Sequence, residues 1–101
     1  MRWIDVVYLI PISKGKNINK DTVEIEGNPR EVFANQKSVK MSEFYQAMAV
    51  GLRPELVFEV KKADYNKEKR LIFENVKYNI IRTYSKNTEV IELVCQGMVN
   101  S

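Results

Sequence analysis

The chain has 101 residues, of which 45% are apolar and 29% are charged, and its formal net charge is +3. This length accommodates one domain, residues 1–101, with a single modest core. The composition is that of a soluble globular domain, and no apolar run approaches the roughly 20 residues that a membrane-spanning helix needs. The N-terminal apolar run is interrupted by Asp5 and lacks a small-residue cleavage site, so we expect no signal peptide.

The N-terminal third predicts strands around a polar, glycine-containing segment. Residues 3–10 are rich in β-branched and aromatic side chains, which predicts a strand that ends before Pro11. Residues 13–20 read SKGKNINK and predict a flexible loop, because they are polar and almost free of apolar anchors. Alternation over residues 22–26 predicts a strand with one exposed face. We therefore expect residues 13–30 to form a variable loop followed by an edge strand.

The middle of the chain predicts one short helix between two strands. Residues 32–34 predict a short buried strand, which a polar link over residues 35–40 joins to the helix. Ser42 is the expected N-cap, and Gly51 is expected to end the helix in the left-handed conformation. Helical spacing predicts one apolar face made of Phe44, Ala47 and Met48.

The C-terminal half predicts further strands joined by tight turns. Leu56, Phe58 and Val60 alternate with more polar positions, which predicts a strand with one apolar face. Glu74 and Asn75 predict a tight hairpin turn. The other predicted segments are a turn at 66–68, strands at 70–73, from 76 to 84 and at 89–95, a turn at 85–87 and a tail at 97–101.

These segments together predict the fold class. About six short strands and one helix, connected mostly by hairpins, favour a mainly β domain. The expected architecture is a small antiparallel β-barrel or sandwich with one short α-helix across one opening and a long flexible loop.

Residue types exclude most catalytic chemistry. The chain has no histidine, which rules out His-dependent triads and most zinc sites. Cys95 is the single cysteine, so it forms no internal disulfide, and this favours a reducing compartment. Ser13 and Lys16 match S-x-x-K without its companion motifs. We expect a protein that is not an enzyme, with no catalytic residue, no metal site and no cofactor.

Basic and aromatic residues in the C-terminal half suggest nucleic-acid binding as an alternative. Basic grooves with stacking aromatics bind single strands on small barrels. Glutamates in the same hairpins oppose this interpretation, and we favour a solvated face of mixed charge with tyrosines in the core. Arg82 is expected to share one side of its strand with Tyr78, Ile80 and Tyr84, and to pair with Glu92 or to stack on a tyrosine. The basic residues are Lys61, Lys67, Lys69, Arg70, Lys77 and Lys86, around Tyr65, Tyr78 and Tyr84.

A series of motifs closely resembles the head–tail adaptor, or head-closure, proteins of tailed bacteriophages and prophages. The series covers nearly the whole chain in the family's order, and residues 14–30 match least. Its motifs are VFANQKSV (32–39), SEFYQA (42–47), GLRPELVFEV (51–60), ADY (63–65), YNIIRTY (78–84) and ELVC (92–95).

This resemblance implies a small barrel with a helix and a long loop, and no catalysis. It implies a structural virion protein that joins the portal or connector to the tail and closes the DNA-filled head. The implied partners are further copies of the chain in a ring of commonly twelve, the portal or connector, a tail-completion or tail protein, and packaged DNA at the channel. The implied location is the virion, after assembly in the bacterial cytoplasm, and no membrane partner is implied. The copies are either monomeric in solution until assembly or already associated.

Two sets of residues are candidate sites under this interpretation. The candidate mobile loop, expected to enter a channel, contains Ser13, Lys14, Gly15, Lys16, Asn17 and Lys20. The candidate ring or partner interface contains Asn35, Lys37, Lys40, Glu43, Tyr45 and Gln46.

Overall fold

The computed structural model describes residues 4–98, which form a closed six-stranded antiparallel barrel, a separate two-stranded hairpin and one α-helix. The strands occur around the barrel in the order β1-β4-β5-β8-β7-β6, and pairing of β1 with β6 closes it. The predicted mainly β class and antiparallel barrel are confirmed. The elements are β1 (Asp5–Ile10), β2 (Ile12–Lys16), β3 (Thr22–Glu26), β4 (Arg30–Lys37), α1 (Met41–Met48), β5 (Leu56–Lys61), a 3-10 turn (Lys62–Asp64), β6 (Arg70–Phe73), β7 (Val76–Ser85) and β8 (Val90–Gly97).

The barrel interior is filled by apolar side chains from all six strands. Alternate residues of each strand point inward, so a strand contributes every second side chain to the core. Phe58 is the largest fully buried side chain, and its ring meets Phe73 edge to face with centroids 4.9 Å apart. The buried core cluster is Val7, Leu9, Val32, Ala34, Phe58, Val60, Leu71, Leu93 and Cys95.

Two local features set the geometry of the β6–β7–β8 sheet. Glu74 and Asn75 both have positive φ, 51° and 66°, which is the two-residue hairpin turn that the sequence predicts. A bulge in β7 adds one residue, because Ile80 pairs with Cys95 whereas Arg82 pairs with Val94. Arg82 therefore lies on the outside of the barrel while Ile80 packs in the core, and the prediction that they share one side is wrong.

Two predicted connections are strands instead. Residues 13–16, predicted as part of a loop, belong to β2 and pair with β3. Residues 35–37, predicted as part of a polar link, continue β4 and pair with β5. In both cases hydrogen bonding to a neighbouring strand outweighs the polar composition of the segment, because backbone pairing needs no apolar side chain.

Helix α1 begins two residues earlier than predicted and has a different cap. The N-cap is Lys40, which makes no side-chain capping bond, so the prediction of Ser42 as N-cap is wrong. The first helical bond runs from the Phe44 N–H to the Lys40 carbonyl, at 2.9 Å. Gly51 has the predicted left-handed conformation, with φ +83°, but the helix ends before it, at Met48, with Ala49 as the C-cap. Of the predicted apolar face, Ala47 is buried and Phe44 half-buried, but Met48 is exposed.

Candidate interaction surfaces

The outer wall formed by β4, β5, β8 and β7 carries a row of polar residues in register. Asn35 lies opposite Glu59, Glu59 opposite Glu92, and Glu92 opposite Tyr84. Directly opposed residues in an antiparallel pair point to the same face, so these four side chains are neighbours. Glu59 is nevertheless fully buried, so at this residue the predicted solvated face of mixed charge is wrong.

Glu59 is held by two lysines from other segments. The Lys86 Nζ donates a hydrogen bond to Glu59 Oε2, and the Lys37 Nζ lies 3.7 Å from Oε1. The bond to Glu59 raises the pKa of Lys86 above its ordinary value. Glu59 Oε1 accepts no hydrogen bond from any residue that the structure describes. Lys86, Lys37 and Glu59 lie far apart in sequence. Their ion pairs therefore connect the β7–β8 turn and the end of β4 to strand β5.

Arg82 and Tyr84 extend this wall on β7. The Arg82 Nη1 donates a hydrogen bond to the Tyr84 hydroxyl at 2.9 Å. Neither predicted partner geometry is found between residues 4 and 98: Arg82 forms no ion pair with Glu92, and its contact with tyrosine is a hydrogen bond rather than a stack. The guanidinium is thereby positioned without being neutralised.

The opposite outer wall carries an apolar patch, which we call the outer patch. Val6 lies opposite Phe33, and Tyr8 lies opposite Ile72, so the four side chains are contiguous across β4, β1 and β6. Phe33 is 56% exposed and Tyr8 is 39% exposed. Glu31 borders the patch and accepts a hydrogen bond from the Tyr8 hydroxyl at 3.4 Å. An exposed contiguous apolar patch with a polar border is typical of a protein–protein contact.

The segment that joins β4 to β5, residues 38–55, carries a second apolar surface and is called the helix arm. Met41, Tyr45 and Met48 follow helical spacing and are all exposed, with Tyr45 at 63%. Phe44 stacks edge to face on Tyr45 with ring centroids 5.9 Å apart. The strands contact one another far more extensively than the helix contacts any of them. The helix arm thus presents apolar side chains outward and makes few contacts with the barrel.

The third surface is the β2–β3 hairpin, residues 12–26, which pairs with no barrel strand. Its turn is closed by Asn17, whose Oδ1 accepts hydrogen bonds from the N–H groups of Asn19 at 2.9 Å and Asp21 at 3.0 Å. Ile18 is 97% exposed at the tip. A Cβ at Gly15 would lie 2.3 Å from Ile25 Cδ1, so the hairpin packs closely across its own strands. The candidate mobile residues therefore lie in an ordered hairpin, and their mobility stays a prediction.

Ion pairs join the hairpin to the barrel. Arg70 on β6 contacts Glu24 at 3.0 Å and Glu26 at 2.8 Å, and Lys77 on β7 contacts Glu26 at 2.9 Å. Hydrogen bonds from Lys77 and then Arg70 hold the pKa of Glu26 below its ordinary value. The backbone N–H of Gly27 also donates to the Pro11 carbonyl, at 2.8 Å. The base of the hairpin is therefore fixed to the barrel, while its tip is exposed.

The predicted interface residues fall into two groups. Asn35 is buried and Lys37 forms an ion pair with Glu59, so these two residues belong to the barrel wall. Tyr45 and Gln46 are exposed on α1, and Lys40 flanks its start. Glu43 lies in the helix, and its side chain is outside what the structure describes. Sequence reasoning missed the outer patch, although the alternation of Val6 and Tyr8 with the buried Val7 and Leu9 could have indicated it.

Between residues 4 and 98, the acidic and cysteine side chains form no group of three that could hold a metal ion. Cys95 is buried in the barrel, and desolvation raises the pKa of its thiol to about 12. The thiol is therefore protonated and enclosed at neutral pH. Over the same stretch, no helix combines the length and apolarity that crossing a membrane requires.

No protein-family model matches the sequence, and a search of curated proteins finds no match. The surfaces described above and the sequence resemblance therefore carry the functional interpretation.

Proposed function

We propose that the protein is a structural assembly protein of a bacteriophage or prophage particle, which joins the portal or connector to the tail and closes the DNA-filled head. The observation that carries this proposal is the placement of exposed apolar side chains on three separate surfaces: the outer patch, the helix arm and the hairpin tip. The motif series that resembles head–tail adaptors supports it independently. The barrel is also the architecture that this resemblance implies.

Two of these surfaces suit association between copies. A ring forms when a patch on one copy binds a different patch on the next and the rotation closes. The outer patch and the exposed stripe of α1 lie on different parts of the chain, so one copy can offer its helix arm to the outer patch of its neighbour. Lys40 beside the helix and Glu31 beside the patch have opposite charges, which favours this pairing. In the particle we expect about twelve copies, with the portal or connector on one side and a tail protein on the other.

The hairpin suits the proposed closure of the channel. Its strands have five residues each, so it extends about 17 Å from the barrel. The tip carries Lys16, Ile18 and Lys20, and a ring of such tips pointing inward would meet the packaged DNA. The protein would then reside in the virion after assembly in the bacterial cytoplasm, and act without catalysis.

An assembly assay tests the proposal. Purified protein is added to DNA-filled heads that lack it, and DNA retention and tail attachment are measured. We expect the wild-type chain to bind portal–connector complexes and to restore both. Tyr45→Asp, which places a charge on the exposed stripe of α1, should abolish both. Val76→Asp, at a similarly exposed apolar residue beside the β6–β7 turn, is the matched control and should leave both intact. Failure of the wild-type chain to bind these complexes contradicts the proposal.

The alternative function, a barrel that binds single-stranded nucleic acid by base stacking, has weaker support. Tyr65 and Tyr78 pack against the core cluster, and burial raises the pKa of both hydroxyls. Of the three tyrosines considered for stacking, this leaves Tyr84, which is 39% exposed. Preferential binding of single strands over duplex DNA, lost in Tyr84→Ala, would favour this alternative.

A further inference from the structure

The structure divides the basic residues of the C-terminal half into paired and unpaired ones. Arg70 contacts Glu24 and Glu26, Lys77 contacts Glu26, and Lys86 contacts Glu59. Their charges are therefore balanced by nearby carboxylates, and they contribute little to an external field. Among the described residues, Arg53, Lys61 and Lys62 have no such carboxylate partner, and neither do Lys67, Lys69 and Arg82.

Three of these unpaired cations, Lys67, Lys69 and Arg82, line one open cleft of about 400 Å³ on the outside of the barrel. Lys67 and Lys69 come from the segment between β5 and β6, and Arg82 comes from β7 just after the bulge. We call this the cationic cleft. Its lining residues are Tyr65, Lys67, Glu68, Lys69, Ile80, Ile81, Arg82 and Thr83.

The one carboxylate in this lining does not oppose an anionic ligand. Glu68 is 4% exposed, and its Oε2 accepts a hydrogen bond from Arg30 Nη2 at 2.6 Å. Its Oε1 accepts another from the N–H of Asn66, also at 2.6 Å. Because Arg30 neutralises the buried Glu68, the cleft presents three positive charges outward.

Local contacts fix the backbone of the two lysines and the side chain of Arg82. Lys67 has φ 61°, a left-handed conformation that fixes the direction of the turn. The Lys69 carbonyl accepts a hydrogen bond from the Ile80 N–H at 2.9 Å, which joins the turn to β7. The Arg82 guanidinium is held by the Tyr84 hydroxyl. Pre-positioned donors lose less conformational freedom when a ligand binds.

We propose that the cationic cleft binds the phosphodiester backbone of duplex DNA without reading its sequence. Lysine and arginine are the side chains that contact phosphate oxygens, and duplex DNA carries about one negative charge per 1.7 Å of its axis. The aromatic side chain in the lining offers no stacking surface, because the Tyr65 hydroxyl donates to the Glu68 carbonyl at 2.8 Å and the ring packs on the core. The cleft therefore contacts phosphates and not bases. This inference does not depend on the assembly role proposed above.

Fluorescence anisotropy with a labelled 20-base-pair duplex tests the proposal over a range of salt concentrations. Three phosphate contacts predict a slope of log K against log[salt] of about −2.7, and so a loss of about 40-fold in affinity between 50 and 200 mM salt. The test variant is Lys67→Asn, Lys69→Gln and Arg82→Gln, in which asparagine suits the left-handed position. It should weaken binding at low salt at least tenfold and bring the slope close to zero.

The matched control removes the same number of unpaired charges outside the cleft, as Arg53→Gln, Lys61→Gln and Lys62→Gln. It should keep most of the affinity and the slope. Equal losses in both triple variants would show that net charge alone drives binding, and would overturn the proposal. So would absence of binding by the wild-type chain at 25 mM salt, equal binding of polyglutamate, or a clear preference for single strands.

A measurement on the wild-type chain keeps the proposal falsifiable if the triple variant fails to fold. Titration of the ¹⁵N-labelled protein with the unlabelled duplex should shift the amide signals of residues 66–69 and 80–83 before those of the hairpin. Shifts confined to residues 14–20 would overturn the proposal. Failure of DNA binding leaves the assembly assay unaffected, because that assay reads tail attachment through Tyr45, which lies outside the cleft.

Discussion

The barrel and the two segments that project from it use apolar residues in opposite ways. In the barrel, Phe58 and its neighbours are enclosed, so their burial stabilises the fold. In the hairpin and the helix arm, Ile18, Tyr45 and Met48 are exposed and contribute nothing to the core. Stability therefore resides in the barrel interior, and recognition in the projecting segments and on the outer surface of the barrel. A substitution in the interior should affect folding, and one on an exposed apolar surface should affect association.

The largest contrast is expected between two phenylalanines. Phe58→Ala removes a fully buried ring that contacts Phe73, and should lower the free energy of unfolding by about 3–5 kcal/mol. Phe33→Ala removes an exposed ring of the outer patch and should change it by no more than about 0.5 kcal/mol. Urea unfolding of both variants measures the difference. Similar losses in the two would show that the outer patch is part of the fold rather than a free surface.

The next contrast lies within the buried ion cluster. Lys86→Met leaves the Glu59 carboxylate enclosed with Lys37 alone at 3.7 Å, whereas Glu59→Leu leaves two lysines that can turn to water. Removing a cation from a buried carboxylate is costly, while replacing the carboxylate by an apolar residue is often neutral. We therefore expect Lys86→Met to lower the urea midpoint more than Glu59→Leu. The reverse order would mean that the cluster stabilises the wall chiefly through its carboxylate.

The same cluster has a pH dependence at the alkaline end. The folded-state pKa of Lys86 lies above its ordinary 10.5, so its contribution is complete below pH 10.5 and is lost as pH rises through the raised value. Urea midpoints of the wild-type chain should therefore fall above pH 10.5 more than those of Lys86→Met. A parallel fall in both would assign the loss to other groups.

A smaller effect separates the hairpin from the barrel at acid pH. The pKa of Glu26 lies below its ordinary 4.5, so its contribution is complete above pH 4.5 and is lost as pH falls through the lowered value. As the pH falls through this range, protection of the β2 and β3 amides from exchange should decrease before protection of the β5 amides does. Glu26→Gln should produce the same decrease at pH 7, and Glu31→Gln, outside the hairpin, should not. Simultaneous opening of barrel and hairpin would contradict the separation.

The smallest expected effect is at Ser42. A lost N-cap typically costs about 1 kcal/mol, but the cap position is occupied by Lys40, without a side-chain bond. Ser42→Ala should therefore leave the unfolding free energy within about 0.5 kcal/mol. Circular dichroism during thermal unfolding measures it. A loss of about 1 kcal/mol or more would mean that the serine hydroxyl caps the helix after all.

The barrel could be predicted from local patterns because its strands carry alternating apolar residues and clear turn signals, as at Glu74–Asn75. The hairpin strand β2 could not, since Ser13 to Lys16 have almost no apolar content and their pairing depends on β3. The burial of Glu59 could not be predicted from the sequence for a related reason. Its two lysines come from segments far away in the sequence, so period-two alternation assigned it to solvent.

The candidate surfaces could be predicted only in part. Tyr45 and Gln46 on the exposed side of α1 follow from helical spacing. The outer patch and the cationic cleft each combine residues from distant strands, and the bulge in β7 decides that Arg82 points outward. One inserted residue reverses every side chain beyond it, and no local sequence signal marks that position.

The pairing of β1 with β6, which closes the barrel, has a consequence for how the chain folds. Tyr8 pairs with Ile72 and Ile10 with Arg70, so the first strand finds this neighbour only after most of the chain has been synthesised. Pairing between such distant segments is slow, on the order of milliseconds to seconds, because the intervening chain must first be ordered. The β2–β3 hairpin needs only its own residues, and hairpins form in about 1–10 µs. The projecting element is thus expected to be complete before the barrel closes around Phe58.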